Sequence, residues 1–381
     1  MAQMTDIATK VASEFEERAG ELDRTGAFPF ANYDQLRELG YLAGPVPEEL
    51  GGLGASLSEM ARAQRLLAAG CASTALSVNM HLFQVGAAAA GWRTTGANEP
   101  LLRRVADEGI VLGSTGAEAI VAGAWETTTT AEHDGDDLVI SGRKFFCSQA
   151  PAMNLVRVNA RDVDTGEILV VAVPANAPGL SVVETWDTLG MRATASHDVV
   201  LDKVRIPVTA IGARLPADGP AWHPAFANAI RWFLSGVSGV YLGIADRAVR
   251  AARESLGSAR NGAFRDQALT DELIGRLESA WFRAEAVFEL GLKRVETAPD
   301  PIASMVAAIA TKQETTTAAV EVVELAVDIA GGGAYFRRNI LERLVRDVRA
   351  ARHHPPAAPV SFQMLGRAAR LAATAGTEQG T

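Results

Sequence analysis

The sequence predicts a mainly α protein with a β-domain set into its middle: an N-terminal helical domain, a β-barrel-like middle domain and a C-terminal four-helix bundle. Three observations predict it. Apolar residues recur at helical spacing through the first part of the chain. After Val111 the texture changes to short strands punctuated by Gly, Pro and Asn. Long helical periodicity then returns beyond the proline-rich passage Pro207 to Pro224. The bounds read as 1–110, 111–222 and 223–374, with 375–381 an Ala/Gly-rich tail.

Each element has a local reason. Ile7, Val11, Phe15, Ala19 and Leu22, interleaved with Glu14, Glu16, Glu17 and Arg18, form the stripe of an amphipathic helix. A short helix around Tyr33 to Leu39 stops at Gly40, before Pro45 and Pro47 forbid its continuation. Ala-rich helical text free of proline runs from Leu57 to Gly91. Thr127 to Thr130 and Leu138 to Ile140, with Asp134-Gly135 between them, read as a hairpin. Further strands are expected at Leu155 to Val158, Ile168 to Val173, Leu180 to Val183 and Asp198 to Val204, closing the β-domain near Pro207. Leu234, Val237, Tyr241, Ala245, Ala248 and Ala252 start the bundle, which Ile274 to Phe288, Ile302 to Ala330 and Asn339 to Arg352 complete.

Composition narrows the class of function. The 381 residues are 48% hydrophobic with a formal net charge of −9, and no basic run tracks a phosphate backbone, so nucleic acid is not an expected partner. Cys71 and Cys147 stand far apart, which suggests neither a disulfide framework nor a cysteine metal site, and the six histidines show no metal-ligand spacing. With no apolar run of about 20 residues and no basic-then-apolar start, the expectation is a cytoplasmic protein without a membrane span.

Four ordered motifs then resemble the acyl-CoA dehydrogenase superfamily. They are Leu36 to Leu42 with Pro47-Glu48-Glu49-Leu50-Gly51-Gly52-Leu53-Gly54, and the hairpin positions Gly135-Asp136, Ile140, Gly142, Lys144 and Phe146-Cys147-Ser148. Leu189-Gly190-Met191-Arg192-Ala193-Thr194-Ala195-Ser196 is the third, and Gly331-Gly332-Gly333-Ala334-Tyr335 with Glu342-Arg343-Leu344-Val345-Arg346-Asp347-Val348-Arg349 the fourth. The resemblance runs from about residue 10 to 352. It implies a flavin, FAD or alternatively FMN, resting against Phe146, Cys147, Ser148 and Thr115. It further implies an adenine and pyrophosphate end held by Arg260, Phe264, Gly331 and Gly332 across a subunit boundary. A homo-oligomer, tetramer or dimer, is the corresponding expectation. Asp347 is expected in an intersubunit salt-bridge network.

The same resemblance exposes a missing group. Dehydrogenation of an acyl thioester needs a carboxylate at the α-carbon, and in the family it follows the Arg-Asp-x-Arg helix or lies on the first bundle helix. Here those positions hold Pro355, after His353-His354, and Ile230. A His-Pro sequence there, with Ser148 in the hairpin and His81 in Ser77-Val78-Asn79-Met80-His81, resembles the flavin monooxygenase branch of the superfamily. In that branch a serine and histidines stand beside reduced flavin and oxygen. His354, Ser148 and His81 are therefore the candidate catalytic residues.

Three functions follow as expectations. The leading one is FAD-dependent α,β-dehydrogenation of an acyl-CoA or acyl-carrier-protein substrate, with an electron acceptor as partner. The alternative is a two-component monooxygenase fed by a flavin reductase, and the third is a non-catalytic flavin-binding homologue.

Overall fold

The computed structural model describes residues 3–116, 118, 127–218, 220–257 and 268–378. Helix α1 (Met4–Thr25) buries Ile7, Val11, Phe15 and Ala19 along the stripe their spacing marks. It ends where Gly26 turns left-handed, with φ 70°. After α2 (Phe30–Glu38), the run expected as continuous helical text divides into α3 (Leu57–Gly70) and α4 (Ala72–Thr95), with Cys71 extended between them. Ser56 caps α3 by accepting the Glu59 N–H. Helix α5 (Glu99–Glu108) packs its buried Leu102 and Val105 beside Val85 and Ala89 of α4.

The middle of the chain forms one sheet of β1 (Leu112–Thr115), β2 (Thr130–Asp134), β3 (Asp137–Cys147), β4 (Leu155–Asp162), β5 (Ile168–Pro174), β6 (Leu180–Val183), β7 (His197–Pro207) and β8 (Ile211–Leu215). Its order is β6-β7-β3-β2-β4-β5-β8, and β1 runs parallel to β4. The hairpin turn falls at Gly135, with φ 64°. Alternation along β5 decides which face goes where: Leu169, Val171 and Val173 face the β-domain core, whereas Ile168 and Val170 pack with the helical core. Strand β8 lies in the passage expected to be free of strands. It pairs with β5 as an edge, and Leu215 buries against the helices.

The C-terminal part is led by α6 (Pro224–Leu256), α7 (Ala268–Thr297) and α8 (Pro301–Ala330). Gly236, Gly239 and Gly243 recur on one side of α6, where a Cβ would strike Asn79, the Ala61 carbonyl and the Arg65 carbonyl; the missing side chains let α6 lie close against α3 and α4. The expected fourth helix is shorter than its periodicity suggests. α9 (Ile340–Val348) tightens into a 3-10 turn at Arg349–His353, and a further helix, α10 (Ala358–Glu378), extends through residues read as the start of a tail. The break falls at His354-Pro355-Pro356, because proline withdraws the N–H groups a continuing helix needs. No helix among the described residues is long and apolar enough to cross a membrane.

Candidate active site

The segment ending β3 is built to present side chains. Opposite β7 the register shifts between Lys144 and Cys147, a bulge that places Phe146 at φ 58°. Gln149 has φ 58° as well, so both residues flanking the Cys147-Ser148 pair occupy the left-handed region that side chains avoid. Such strain costs on the order of 1–3 kcal/mol per residue and marks positions where the fold holds a side chain for use. The bulge turns the Phe146 ring outward, where it is 62% exposed and meets Trp186 edge-on at 6.1 Å between centroids.

Ser148 is nearly buried and opens a chain of hydroxyls. Its Oγ lies 2.8 Å from Ser196 Oγ, which lies 2.8 Å from Thr194 Oγ1, and Thr194 donates to the Met191 carbonyl at 2.9 Å. A carbonyl only accepts, so hydrogens along the chain point toward Met191 and Ser148 is left offering a lone pair to the site. Gln149 anchors the same segment: its amide donates to Leu112 O at 2.8 Å, and the Tyr33 hydroxyl donates to its Oε1 at 2.6 Å.

His354 stands in the turn that follows α9. Lys312 of α8 donates from Nζ to His354 O at 3.0 Å and to Pro356 O at 3.1 Å, fixing the turn. The imidazole packs against Tyr241 at 5.5 Å and Phe233 at 6.4 Å. Its Nε2 is closed off from solvent with no hydrogen-bond partner, although the residue as a whole keeps some exposure. Burial, reinforced by the charges of Lys312 and His353, holds its pKa down at about 3, so the ring is neutral at physiological pH.

His81 has a different job from the one expected of it. It is fully buried, its Nδ1 accepts the Leu112 N–H at 3.0 Å, and its Nε2 donates to Leu42 O at 2.9 Å. Both nitrogens are spent on backbone, and burial holds the pKa down at about 4. This ring clamps β1 to the N-terminal helices and has no nitrogen left for a substrate. Thr115 likewise spends its hydroxyl on Arg157 O at 2.9 Å. The Cys147 thiol points into the β-domain core, 3.8 Å from Met153 Sδ, and burial pushes its pKa up to about 12. Only the backbone of Cys147 can serve a cofactor.

Gly331 and Gly332 lie on an exposed 3-10 turn with open space where a Cβ would stand, next to Tyr335 at 91% exposure. Arg260 and Phe264 lie outside the described residues. Asp347 is not free for a partner subunit: it is 3% exposed and its Oδ1 accepts the Met191 N–H at 2.6 Å. Arg346 beside it bonds Asp23 and Glu342, and its Nη1 donates to Leu189 O at 3.0 Å. The Arg-Asp pair thus ties α9 to the loop that carries Thr194 and Ser196, within one chain.

The carboxylates of the interior are already committed. Among the described residues the buried ones are Asp162, Asp198 and Asp347; Arg143 binds Asp198, and Asp162 takes His133 and the N–H groups of Asp164 and Thr165. His133, Asp162 and Asp164 form the one cluster there with a metal-like arrangement, but the Arg214 guanidinium stands 3.7 Å from Asp162 and supplies the positive charge. Burial alone would raise the Glu118 carboxyl; hydrogen bonds from Lys144, Thr127 and Thr128 instead hold it at about 2.

A helical front, a central sheet and a helical bundle, in the order of the family's domains, are those of a flavoprotein oxidoreductase. The chain belongs to the acyl-CoA dehydrogenase family: residues 3–108, 116–204 and 235–358 match its N-terminal, middle and C-terminal domains. YdbM of Bacillus subtilis, named as an acyl-CoA dehydrogenase, is 32% identical over 91% of this chain and 91% of its own length. An L-evernosamine nitrososynthase of Micromonospora is 31% identical over 91% and 85%. Among solved structures, KijD3 with FMN and dTDP-3-amino-2,3,6-trideoxy-4-keto-3-methyl-D-glucose superposes with a TM-score of 0.86 at 28% identity, covering 96% of this chain and 92% of that one.

The motifs put Ser148, Phe146 and His354 forward as candidates, and the third motif contains Thr194 and Ser196 without marking them out. Tyr241 and Lys312 were not singled out, because each is a polar residue inside an apolar helical stripe and reads as core. Gln149 carries no signal beyond standing next to the Phe-Cys-Ser run.

Proposed function

We propose that the chain is a reduced-flavin monooxygenase that oxygenates an amino nitrogen, the alternative reading of the sequence rather than the leading one. The observation that carries it is the state of the site: an imidazole and hydroxyls, with every buried carboxylate among the described residues committed elsewhere. A thioester dehydrogenase without an α-base has no route for the proton. The amino-sugar nitrososynthases among the relatives support the choice of nitrogen, and the FMN in the KijD3 structure supports FMN over FAD.

The residues present fit a flavin. Phe146 offers an outward aromatic face, backbone groups of the Cys147 segment are at hand, and Ser148 presents an acceptor, which suits the N–H that reduced flavin bears at N5. When bound, reduced flavin would supply the two electrons that let one atom of dioxygen pass to the amine as a hydroxylamine while the other leaves as water. The chain contributes placement and hydrogen bonds. Ser148, steadied through Ser196 and Thr194, would hold the N–H side, and His354, kept neutral by burial and flanked by Phe233 and Tyr241, would offer Nε2 as a hydrogen-bond partner closed to solvent rather than as a base. Closing off water favours transfer to substrate over loss of the oxidant.

A reductase partner and a homo-oligomer belong to the same reading. The exposed Gly331–Tyr335 turn and the outward Phe336, at 52% exposure, support an assembly in which a neighbour covers them. The test is anaerobic. With flavin loaded, a panel of acyl-CoA and acyl-carrier-protein thioesters is expected to leave the flavin yellow; bleaching by any of them at a rate that His354→Ala slows would return the site to dehydrogenation.

A further inference from the structure

One carbonyl holds both of the side chains that would meet the flavin ring. Met191 O accepts three hydrogens: from the Trp186 indole at 3.1 Å, from the Thr194 hydroxyl at 2.9 Å and from the Thr194 N–H at 3.1 Å. Trp186 meets the Phe146 ring edge-on, and Thr194 reaches Ser148 through the Ser196 hydroxyl. The backbone repeats the tie, since the Gln149 N–H donates to Thr194 O at 2.8 Å. Met191 and Ala195, at the two ends of this turn, have φ 54° and 45°, left-handed values that a residue with a side chain keeps only where its surroundings hold it.

What holds this turn is Asp347, whose Oδ1 accepts the Met191 N–H at 2.6 Å. A Cβ on Gly190 would strike the Arg346 carbonyl and the Asp347 nitrogen, so the turn is seated directly on α9. The carboxyl also lines a cavity of about 10 Å³, room for about one water, with Cys71, Ser73, Asp23 and Arg343. The charges that face it are Arg343 and Arg346 from its own helix and Asp23 from α1; the Cys71 thiol stands at the α3–α4 joint and the Tyr241 hydroxyl on α6.

We propose that Asp347 is a positioning residue of the flavin site: its ionised carboxylate fixes the Met191 turn, and through that turn sets the Ser148 hydroxyl and the Phe146 ring together. The inference rests on the reading that a flavin lies against Ser148 and Phe146. A charged acceptor makes a shorter bond to an N–H than a neutral one does, and about twice as strong a bond. Burial raises the carboxyl to about 6, against the pull of the Met191 N–H and the two arginines, so the charged holder gives way to a neutral one in mildly acidic solution. Asp347 acts through Met191 and is not itself a catalytic residue.

Riboflavin is the probe, because it carries the isoalloxazine ring without a phosphate that titrates at about pH 6. Its affinity, read by fluorescence quenching from pH 4.5 to 7.5, should rise roughly three- to ten-fold in the wild type, with a midpoint near 6. Asp347→Asn keeps an acceptor and loses the charge, so its affinity should be flat with pH and equal to the wild-type value at pH 4.5. Arg343→Gln leaves the carboxyl in place and withdraws a charge that favours ionisation; its midpoint should move upward, an outcome that can be read whether or not Asp347→Asn folds. A role in folding alone would lower the melting temperature without moving any midpoint. A flat wild-type affinity, a slope retained in Asp347→Asn, or an Arg343→Gln midpoint that stays or falls overturns the proposal. Ser148→Ala and Phe146→Ala test the flavin's place separately at pH 7.5. If both bind riboflavin as the wild type does, that place is wrong and the positioning role falls with it; if both bind it more weakly while the pH response is absent, the role of Asp347 alone is refuted.

Discussion

Replacing Lys312 by methionine tests how the His354 turn is held. The ammonium is 2% exposed and donates to two carbonyls at 3.0 and 3.1 Å. Burial holds its pKa down at about 8, against an ordinary 10.5. Keeping the proton in the fold therefore costs roughly 3 kcal/mol at neutral pH, at about 1.4 kcal/mol per pH unit. Two charge-assisted hydrogen bonds contribute about 1.5–3 kcal/mol each in the other direction. Lys312→Met removes both effects, so the net loss of stability lies between about zero and 3 kcal/mol, a few degrees of melting temperature at most.

The sign of the pH dependence separates this account from a purely structural one. An unfolded lysine keeps its proton up to 10.5, and the folded one releases it near 8. Between those values the unfolded state binds more protons, so the lysine's contribution to stability rises with pH across that window and is at its least favourable below it. The urea-unfolding difference between wild type and Lys312→Met should widen in favour of wild type from pH 8 to 9.5. The His354 pKa, read by NMR on histidine-labelled protein, should rise, because the Lys312 charge helps to hold it low. A loss above about 5 kcal/mol, a flat difference over that pH range, or an unmoved His354 would refute the reasoning.

Two further outcomes follow from the site. Burial raises the Asp347 carboxyl to about 6, above the 3.8 it has when unfolded, so the native state binds more protons between these values and stability falls as pH rises from about 4 to 6. Asp347→Asn keeps an acceptor for the Met191 N–H and should abolish that fall, worth on the order of 3 kcal/mol, in melting curves at pH 4.5 and 7. His81→Leu leaves the Leu112 N–H and Leu42 O unpaired and should cost about 2–5 kcal/mol of unfolding free energy. Unaltered stability with lost turnover would instead make His81 a catalytic residue.

Much of the fold was written in periodicity. The α1 stripe, the hairpin and the strands from Leu155 to Val183 stand where spacing and turn residues put them, because each obeys a local rule of burial. The misses share a cause. β8 is an edge whose identity depends on pairing with β5, and the α3–α4 break falls directly after Gly70, a glycine that Ala-rich helical text on both sides masks. For the site, the motifs brought Ser148, Phe146 and His354 forward. They could not show that both His81 nitrogens are tied to backbone 31 and 39 residues away in sequence, nor that Asp347 turns inward to Met191. Those roles depend on partners distant along the chain.

The most direct measurement of the central claim follows an oxygen atom. Protein, reduced FMN and the dTDP-linked amino sugar are mixed under isotopically heavy dioxygen, and the sugar product is weighed by mass spectrometry. The account predicts a product heavier by one labelled oxygen on nitrogen, lost in Ser148→Ala and His354→Ala. An unlabelled sugar, together with an acyl thioester converted to its α,β-unsaturated form by the same preparation, would contradict it.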